Sequence, residues 1–413
     1  MYRKTFMEVN IDNITSNVKN IIEKYNDYKY YIAMVKSNAY NHGMYIVNDL
    51  IKSGINYFAT SSLEEAMNIR KYNKDIGILC VEKIELDSID VAIDNNITLT
   101  IHEVDYLKEI IKITNKNIKV HIKIDTGMNR LGVSSKNELN EIVHIINSNK
   151  NIYLEGLFTH FATPGTHDKF YDIQVSNFKN ITSDLDLSKI PMIHLSSSFI
   201  VLSHPKLEFA NAIRIGTILY GFDIAPKKLS NSPKNILRKI RNNYLIKKYN
   251  ISKTYDNVNI KLKTALKLKT NIIQIKHIKQ GDKVGYGILY EAKKDEIIAT
   301  IPIGYDDGIG TNHVNRFVII NNKKYPVIGE ISMCMMSILI DESVSINDEV
   351  TILGDGITIG QIARLNNTSM HNTLVNIGKN LPKVYIKNNK KVYEEKYVME
   401  GKKWVLKQWC LKK

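Results

Sequence analysis

The chain has 413 residues, of which 44% are hydrophobic and 24% are charged, and its formal net charge is +15. This composition excludes a disordered or collagen-like protein, and the length predicts two or three domains. The sequence has three cysteines and no Cys-X-X-Cys pair, which excludes a disulfide scaffold and a cysteine-based zinc site. We therefore expect no metal centre and a reducing, cytoplasmic location.

The N-terminus and the charge distribution bear on partners. The first residues, MYRKTFMEVNID, lack the apolar core of a signal peptide, and no stretch approaches the ~20 apolar residues of a membrane helix. A pI of about 9.3 is compatible with nucleic-acid binding. However, much of the charge lies in residues 227–269 and 402–413 of a chain rich in Lys, Asn, Ile and Tyr throughout. We interpret this as a compositional bias and expect neither a nucleic acid nor a membrane as partner.

Short β-branched segments alternate with amphipathic stretches in the first half of the chain. This alternation predicts a (β/α)8 TIM-type barrel over residues 1–225. A doubly wound sheet is the alternative, but no Gly-X-Gly-X-X-Gly motif follows the first segment. The predicted strands are Tyr30–Lys36, Tyr57–Ser62, Gly77–Glu82, Ile97–Ile101, Lys119–Asp125, Leu154–Phe161, Met192–Ser198 and Ala212–Gly221.

The second half has a different pattern. Residues 226–260 are polar, basic and rich in Asn and Ser, which predicts a linker or a surface insertion. Residues 261–390 contain short strand-like segments separated by turn signals such as Asn321–Asn322 and Gly354–Gly356, so we predict a mainly-β domain. Residues 391–413 are predicted to be a basic C-terminal tail with a short strand near Trp404.

Polar residues follow several predicted barrel strands, at the end where barrels carry their active sites. Lys36 ends the first long strand, and an amine there can bond covalently to an aldehyde. A lysine packed along the barrel rim is the alternative. The segment KIDTGMNRLG places Lys123, Asp125 and Arg130 around a turn. Arg130 can bind a carboxylate with two hydrogen bonds, although a structural ion-pair cluster is equally consistent with this pattern.

Two histidines and the end of a further predicted strand also supply candidate functional residues. His160 follows Leu157–Thr159 at the end of one predicted strand, and His194 precedes Ser196–Ser198 in the next, although a single histidine is more often structural. At the end of the eighth strand, Arg214 precedes Gly216 and Thr217, where the N–H groups of a short helix would bind a phosphate.

In the β domain, VGYG and IPIGYDDG place Tyr286 and Tyr305 beside glycines, which permit close backbone approach. Buried core tyrosines are the alternative. The segment SMCMM, which contains Met333, is typical of core packing.

Together, the segments VKSNAYNHG, KIDTGMNRLG, THFAT, HLSSS, RIGTILYG, VGYG and GYDDG resemble the motifs of the alanine racemase family in order and spacing. The resemblance extends from about Phe6 to about Ile386. It implies an N-terminal barrel, a C-terminal β domain and pyridoxal 5′-phosphate as cofactor. It also implies a homodimer with shared active sites that interconverts L- and D-alanine, which bacteria use for peptidoglycan.

The resemblance also implies roles for the candidate residues. Lys36 would carry the cofactor as an aldimine and act as one base, and Tyr286 of the partner subunit would act as the second base. Arg214 would hydrogen-bond the pyridine nitrogen, and His160 would support Arg214 and Tyr286. The remaining implied contacts are Tyr40, Ser198, Gly216 and Thr217 to the cofactor, Arg130, Met333 and Tyr305 to the substrate, and a carbamate on Lys123.

Three departures from the family pattern keep other functions open. Ser197 stands in the place of an asparagine and Cys334 in that of an aspartate. Before Pro382, Lys379 stands in the place of a tyrosine, or Asn380 if the alignment shifts by one residue. Family members that act on serine also lack this tyrosine, so serine or another small amino acid is an alternative substrate. A catalytically degenerate paralogue that still binds the cofactor is a second alternative.

Overall fold

The computed structural model describes residues 3–163, 169–222, 224, 232–249, 251–252, 254–255, 258–400 and 403–410. The chain forms two compact units. The barrel unit comprises Thr15–Ala39 and Met44–Lys263, and the β unit comprises Met1–Ile14, Tyr40–Gly43 and Thr264–Lys413. The first strand, β1 (Phe6–Asn10), therefore belongs to the β unit.

Eight parallel strands close a barrel in which β2 pairs with both β3 and β9. Most of their residues are buried, as expected for parallel strands covered on both faces. Each strand coincides with one of the eight predicted segments, so the predicted barrel is confirmed. The strands are β2 (Tyr30–Met34), β3 (Tyr57–Thr60), β4 (Gly77–Cys80), β5 (Ile97–Ile101), β6 (Ile118–Lys123), β7 (Ile152–Phe158), β8 (Met192–His194) and β9 (Ala212–Ile215).

The helices between these strands begin at side-chain caps where the sequence supplies them. Ser62 and Ser135 accept hydrogen bonds from the backbone N–H groups of Glu65 and Glu138. None of the helices in the described ranges is both long and apolar enough to span a bilayer. The helices are α1 (Ile11–Lys24), α2 (Val47–Lys52), α3 (Leu63–Arg70), α4 (Ile89–Asp94), α5 (Val104–Ile113), α6 (Lys136–Asn147), α7 (Lys169–Ile181), α8 (Ser198–Ser203) and α9 (Pro233–Tyr249).

Helix α9 lies in the segment that the sequence predicts to be a linker or insertion. Pro233 occupies its first position, where a missing N–H costs nothing, and no glycine interrupts the following residues. Because the segment is polar, apolar periodicity gives no signal for this helix, and the sequence predicts a linker or insertion instead. The predicted boundary at residues 225–226 lies outside the described residues.

The β unit contains one large sheet and a small hairpin. The sheet order is β11-β14-β17-β16-β15-β18-β10-β1-β19-β20-β21, and β12 and β13 form the hairpin. The turn residues Asn321 and Asn322 both have positive φ, as the predicted turn requires. The elements are β10 (Leu266–Asn271), β11 (Gln274–Ile278), β12 (Lys283–Val284), β13 (Tyr290–Glu291), β14 (Glu296–Ile301), β15 (Phe317–Ile320), β16 (Lys323–Ile328), β17 (Met336–Ile340), β18 (Glu349–Leu353), α10 (Ile359–Leu365), α11 (Met370–Asn376), β19 (Lys383–Lys387), β20 (Lys390–Glu400) and β21 (Lys403–Cys410).

Both ends of the chain differ from the predicted organisation. Strand β1 pairs antiparallel with β10 and parallel with β19, which joins the N-terminus to the β unit instead of the barrel. Strands β20 and β21 pair along residues 393–410, so the short strand expected near Trp404 is part of a longer hairpin in the predicted basic tail. The β-branched and aromatic residues of both segments favour strands. The domain boundaries drawn from the sequence stay predictions.

Candidate active site

A strained turn begins directly after Lys36, two residues beyond the end of β2. Residues 37–41 all have φ between 50° and 68°, the left-handed conformation. It costs an ordinary residue about 1–2 kcal/mol. The Ala39 N–H donates to the Val35 carbonyl at 2.8 Å, and the Ser37 N–H donates to the Glu65 carboxylate. Because such strain concentrates at functional sites, the turn points independently to Lys36, whose side chain is exposed.

The guanidinium of Arg214 is buried in the barrel and satisfied by neutral acceptors. Its Nη2 donates to the Thr159 carbonyl at 2.7 Å and to the Leu195 carbonyl at 3.0 Å, and its Nη1 donates to Nδ1 of His194 at 2.8 Å. Within the described residues no carboxylate pairs with it, and none of its hydrogen bonds uses Nε. Burial lowers the pKa of Arg214 to about 9, so it remains charged at neutral pH.

His160 is held as a neutral imidazole beside this guanidinium. Arg214 Nη2 lies 3.3 Å from Nδ1 of His160. Because arginine only donates, Nδ1 accepts and the proton resides on Nε2. Burial, together with the positive charges of Arg214, Arg130, Lys123 and Lys36, lowers the pKa of His160 to about 3. The same charges show that the structure brings these five predicted residues into one electrostatic neighbourhood.

A buried relay of side chains leads away from Arg214 on its other side. His194 accepts from Arg214 at Nδ1, and its Nε2 lies 2.9 Å from Nδ1 of His121. His121 Nε2 in turn lies 3.2 Å from a carboxylate oxygen of Glu155. Since Arg214 only donates, each imidazole carries its proton on Nε2 and donates onward. Burial lowers the pKa of both histidines, so the relay joins a cation and a carboxylate through two neutral rings.

Glu155 is the anionic end of this relay. Its carboxylate also accepts from the Tyr57 hydroxyl at 2.5 Å and the Thr98 hydroxyl at 3.0 Å. Burial raises the pKa of Glu155, but the hydrogen bonds from His121, Tyr57 and Thr98 outweigh this and lower its pKa well below the ordinary value.

The loop after β6 is organised around one carboxylate. Asp125 accepts from the backbone N–H groups of Gly127, Asn129 and Arg130 at 2.9–3.1 Å. A Cβ at Gly132 would lie 2.8 Å from backbone atoms of this loop, so only glycine fits there. Arg130 is thereby presented on the surface of the barrel unit. These hydrogen bonds to Asp125 come from backbone groups, while its charge also acts on Lys123, so the ion-pair alternative stays open.

Lys123 occupies a less exposed position at the end of β6. Its Nζ lies 5.9 Å from the ring centre of Phe158, and Arg214 lies 5.6 Å from the same ring. Burial and the charges of Arg130 and Arg214 lower the pKa of Lys123 to about 8. This lowered pKa favours the neutral, nucleophilic amine of Lys123 more than in an ordinary lysine.

Two short helical starts meet near the C-terminal ends of β8 and β9. The N–H of Gly216 donates to Ser198 Oγ at 2.8 Å, which ties the start of α8 to the 3-10 helix Thr217–Tyr220. The first N–H groups of such turns have no intrahelical acceptor and favour phosphate. With Nε of Arg214 available to a ring nitrogen and an exposed amine at Lys36, the barrel residues fit pyridoxal 5′-phosphate. Ser197, the residue in the asparagine place, precedes α8 and makes no side-chain cap.

The remaining predicted residues, Tyr40, Tyr286, Tyr305 and Met333, belong to the β unit. Tyr286 lies between β12 and β13 and is 68% exposed, and Tyr305 and Met333 are also exposed. Neither tyrosine is the buried core residue considered above. Tyr40 lies within the left-handed turn.

Three neighbouring loops of the β unit carry these exposed residues. The N–H groups of Tyr305 and Asp306 donate to the carbonyls of Ser332 and Met333 at 3.1 and 3.0 Å. A Cβ at Gly329 would lie 2.8 Å from the Val284 carbonyl, so the hairpin that carries Tyr286 packs beside the same loop. Exposed Cys334 adjoins Met333, and Lys379 is exposed on the turn after α11.

Sequence reasoning missed Glu155, His121, Tyr57 and Thr98. One signal was present: His121 and Lys123 are two residues apart in a strand, so both face the same side of it. Glu155 is the single charge in an otherwise apolar strand, LEGLF. Neither signal identifies the partner across the barrel.

Comparison with known proteins gives two family matches. The model of the alanine racemase N-terminal domain matches residues 9–223, and that of the alanine racemase C-terminal domain matches residues 265–385. Residues 224–264, which include α9, lie between the two matches.

Individual relatives align along almost the whole chain. The alanine racemase of Anoxybacillus flavithermus is 30% identical over 397 residues, covering 94% of this chain and 96% of the relative. Among solved structures, the alanine racemase of Clostridium difficile 630 has a TM-score of 0.81 at 30% identity and covers 95% of this chain and 98% of its own. That of Bacillus anthracis with bound L-Ala-P has a TM-score of 0.80 at 29% identity, with coverage of 95% and 98%.

Proposed function

We propose that this chain, which belongs to the alanine racemase family and is an amino-acid racemase, interconverts L- and D-alanine. The observation that carries the proposal is the barrel site itself. It combines the Lys36 amine on a strained turn, a buried Arg214 and a neutral His160. The small amino-acid substrate and the use of pyridoxal 5′-phosphate follow from the family.

When bound, the cofactor supplies an electron sink for the charge left when the substrate loses its α-proton. Arg214 would donate a hydrogen bond to the ring nitrogen and, because it does not release its proton, would keep that nitrogen an acceptor. Its partners His160 and His194 are neutral and hold the guanidinium in one orientation. With the cofactor bound, this arrangement would limit charge delocalisation into the ring and favour return of the proton to the α-carbon.

Racemisation requires a proton donor and acceptor on each side of the α-carbon. We assign Lys36 to one side and Tyr286 of the partner subunit to the other. The exposed hairpin supports this assignment, because Tyr286, Ile288 and Leu289 are each more than half exposed in the single chain. An apolar surface of this kind is typical of one that another subunit covers. The same subunit would supply Tyr305 and Met333.

The substrate carboxylate is assigned to Arg130, which the Asp125 loop presents with its guanidinium free of that carboxylate. Lys123 is assigned as a site of carbamylation, in which its neutral amine attacks carbon dioxide and releases one proton to solvent. The resulting carbamate would be an anion beside Arg130 and Arg214. Its support is the lowered pKa of Lys123 and its position among cations.

The test is α-proton exchange followed by NMR in D2O, with L-alanine and L-serine in one tube. Alanine exchanging faster than serine is the expected result. Serine exchanging faster would assign the enzyme to serine, and exchange of neither would indicate a degenerate paralogue.

Sharing of sites between subunits has its own experiment. Lys36→Ala and Tyr286→Phe proteins are each expected to be inactive, and mixing them should restore up to about a quarter of the sites if both residues come from different subunits. Absence of restored activity, with subunit exchange shown by tagged chains, would place Tyr286 in the same subunit as Lys36.

A further inference from the structure

Helix α9 is strongly basic and carries exposed apolar side chains, and packing within the barrel unit explains neither feature. Its sequence, PKNILRKIRNNYLIKKY, contains six basic residues and no acidic one. It lies in residues 224–264, between the two family matches, and contains none of the residues assigned to the site. A helix that only bridges two domains has no need for exposed apolar side chains.

Four apolar residues along one side of α9 are exposed to solvent. Ile236, Leu237, Ile240 and Tyr244 are 44%, 68%, 61% and 58% exposed. Their spacing places them on one side of a helix, and we call them the α9 stripe. On the opposite side, Asn242 and Ile246 are only partly exposed. The helix therefore rests on a mixed face and presents its apolar face to solvent, the reverse of an ordinary surface helix.

Basic side chains border the α9 stripe. Arg241 and Lys248 follow one edge of it, and Lys247 lies at its C-terminal end. Lys248 Nζ lies 5.6 Å from the ring centre of Tyr244, so charge and apolar surface are in direct contact. An apolar stripe flanked by cations complements the boundary between lipid headgroups and acyl chains of an anionic membrane. A nucleic acid would use the cations alone and would leave Leu237 and Ile240 exposed.

We propose that α9 binds the enzyme to the surface of membranes that contain anionic phospholipids. The α9 stripe enters the headgroup boundary while Arg241, Lys247 and Lys248 contact lipid phosphates. The helix lies on the bilayer and does not cross it, in keeping with its length and charge. This surface departs from the expectation that the protein has no membrane partner, because side-chain exposure is not readable from composition.

The test uses the full-length enzyme and sedimentation with lipid vesicles. Vesicles of phosphatidylcholine with phosphatidylglycerol are compared with vesicles of phosphatidylcholine alone. The expected result is co-sedimentation with the anionic vesicles only, weakened by salt. Wild-type enzyme that stays in the supernatant with both kinds of vesicle would overturn the proposal.

Two variants separate the apolar and the charged contributions. Leu237→Asn/Ile240→Asn is expected to weaken partitioning by about tenfold or more, because exposed apolar surface no longer enters the lipid. Arg241→Gln/Lys248→Gln is expected to weaken it by about 25-fold, since each charge near an anionic surface contributes about fivefold. Both variants should retain wild-type racemase activity in solution.

Matched controls come from other barrel helices. Ile113→Asn/Ile173→Asn removes two exposed aliphatic side chains, and Lys19→Gln/Lys24→Gln removes two exposed charges; both should bind like wild type. If Leu237→Asn/Ile240→Asn bound as tightly as wild type, general positive charge would explain the binding and the proposal would fail. A stripe that mediates self-association in sedimentation velocity, with no vesicle binding, would instead identify a second copy as its occupant.

A tryptophan probe gives a second readout that does not depend on partitioning. Leu237→Trp should show a blue-shifted emission on anionic vesicles, because the indole leaves water, whereas Ile113→Trp should not. Equal spectra for the two variants on bound protein would contradict insertion of the stripe.

Discussion

The candidate residues at the mouth of the barrel and those on the loops of the β unit differ in solvent exposure. In the barrel, Arg214 and His194 are buried and His160 is partly buried, and hydrogen bonds from Arg214 set the tautomers of both histidines. In the β unit, Tyr286, Tyr305 and Met333 are exposed, and backbone hydrogen bonds join the loops that carry Tyr305 and Met333. Under the proposed function, a single chain would prepare the barrel half of the site, and the half that contains Tyr286 would depend on the subunit that covers it.

The largest effect is expected from Lys36→Ala. Removing the amine should lower the racemisation rate by about 10³-fold or more. It should leave thermal stability unchanged, because the side chain is exposed. Racemisation assays and thermal unfolding, with exposed Lys19→Ala as the matched control, measure both effects. If Lys36→Ala retained activity, the assignment of Lys36 to the site would be wrong.

Tyr286→Phe removes one hydroxyl and tests the exposed half. The expected loss is about 10²–10³-fold for α-proton removal from one enantiomer, with a far smaller loss for the other. Exchange rates of L- and D-alanine in D2O give the two values separately. Tyr153→Phe alters a comparably exposed tyrosine of the barrel unit and should have no effect. Equal losses for both enantiomers would argue against two bases on opposite sides.

Glu155→Gln tests whether the relay of Glu155, His121 and His194 helps to hold Arg214 in its position in the barrel. Loss of the carboxylate should reduce the rate by about tenfold and stability by about 1–3 kcal/mol, since the donors of His121 and Tyr57 lose a charged acceptor. The native carboxyl has a lowered pKa, so the folded state binds fewer protons than the unfolded one in acid.

The sign of the pH effect follows from this difference. The stability that Glu155 contributes is fully present above the ordinary carboxyl pKa of about 4.5 and is lost as the pH falls through its lowered value. Urea unfolding across this range should show wild type and Glu155→Gln converging in acid. A gap that is independent of pH would mean that packing, not charge, explains the loss.

The smallest effect is expected at Lys123. Its pKa of about 8 predicts that carbamylation rises with pH from 7 to 9 as the neutral amine accumulates. Carbon-13 NMR with labelled bicarbonate should show a carbamate signal that is absent from Lys123→Arg, whose activity should fall only a few-fold. A signal of equal size in both proteins would exclude Lys123 as its source.

Sequence reasoning located the strand ends better than the connections between them. Lys36, Arg130, His160 and Arg214 were recognised because polar residues followed β-branched segments. Glu155 was missed because its partners His121 and Tyr57 are 34 and 98 positions away. No local pattern encodes such a pairing.

The amino-acid sequence alone determined the eight barrel strands, the mainly-β second half and the order of the motifs, because strand propensity and turn signals act over a few residues. Tertiary structure decided the rest. It brought β1 beside β19, imposed the left-handed turn after Lys36 and set the tautomers of three histidines. It also turned the α9 stripe outward. Each of these depends on contacts between residues distant in the chain, whose free energy appears only when the fold brings them together.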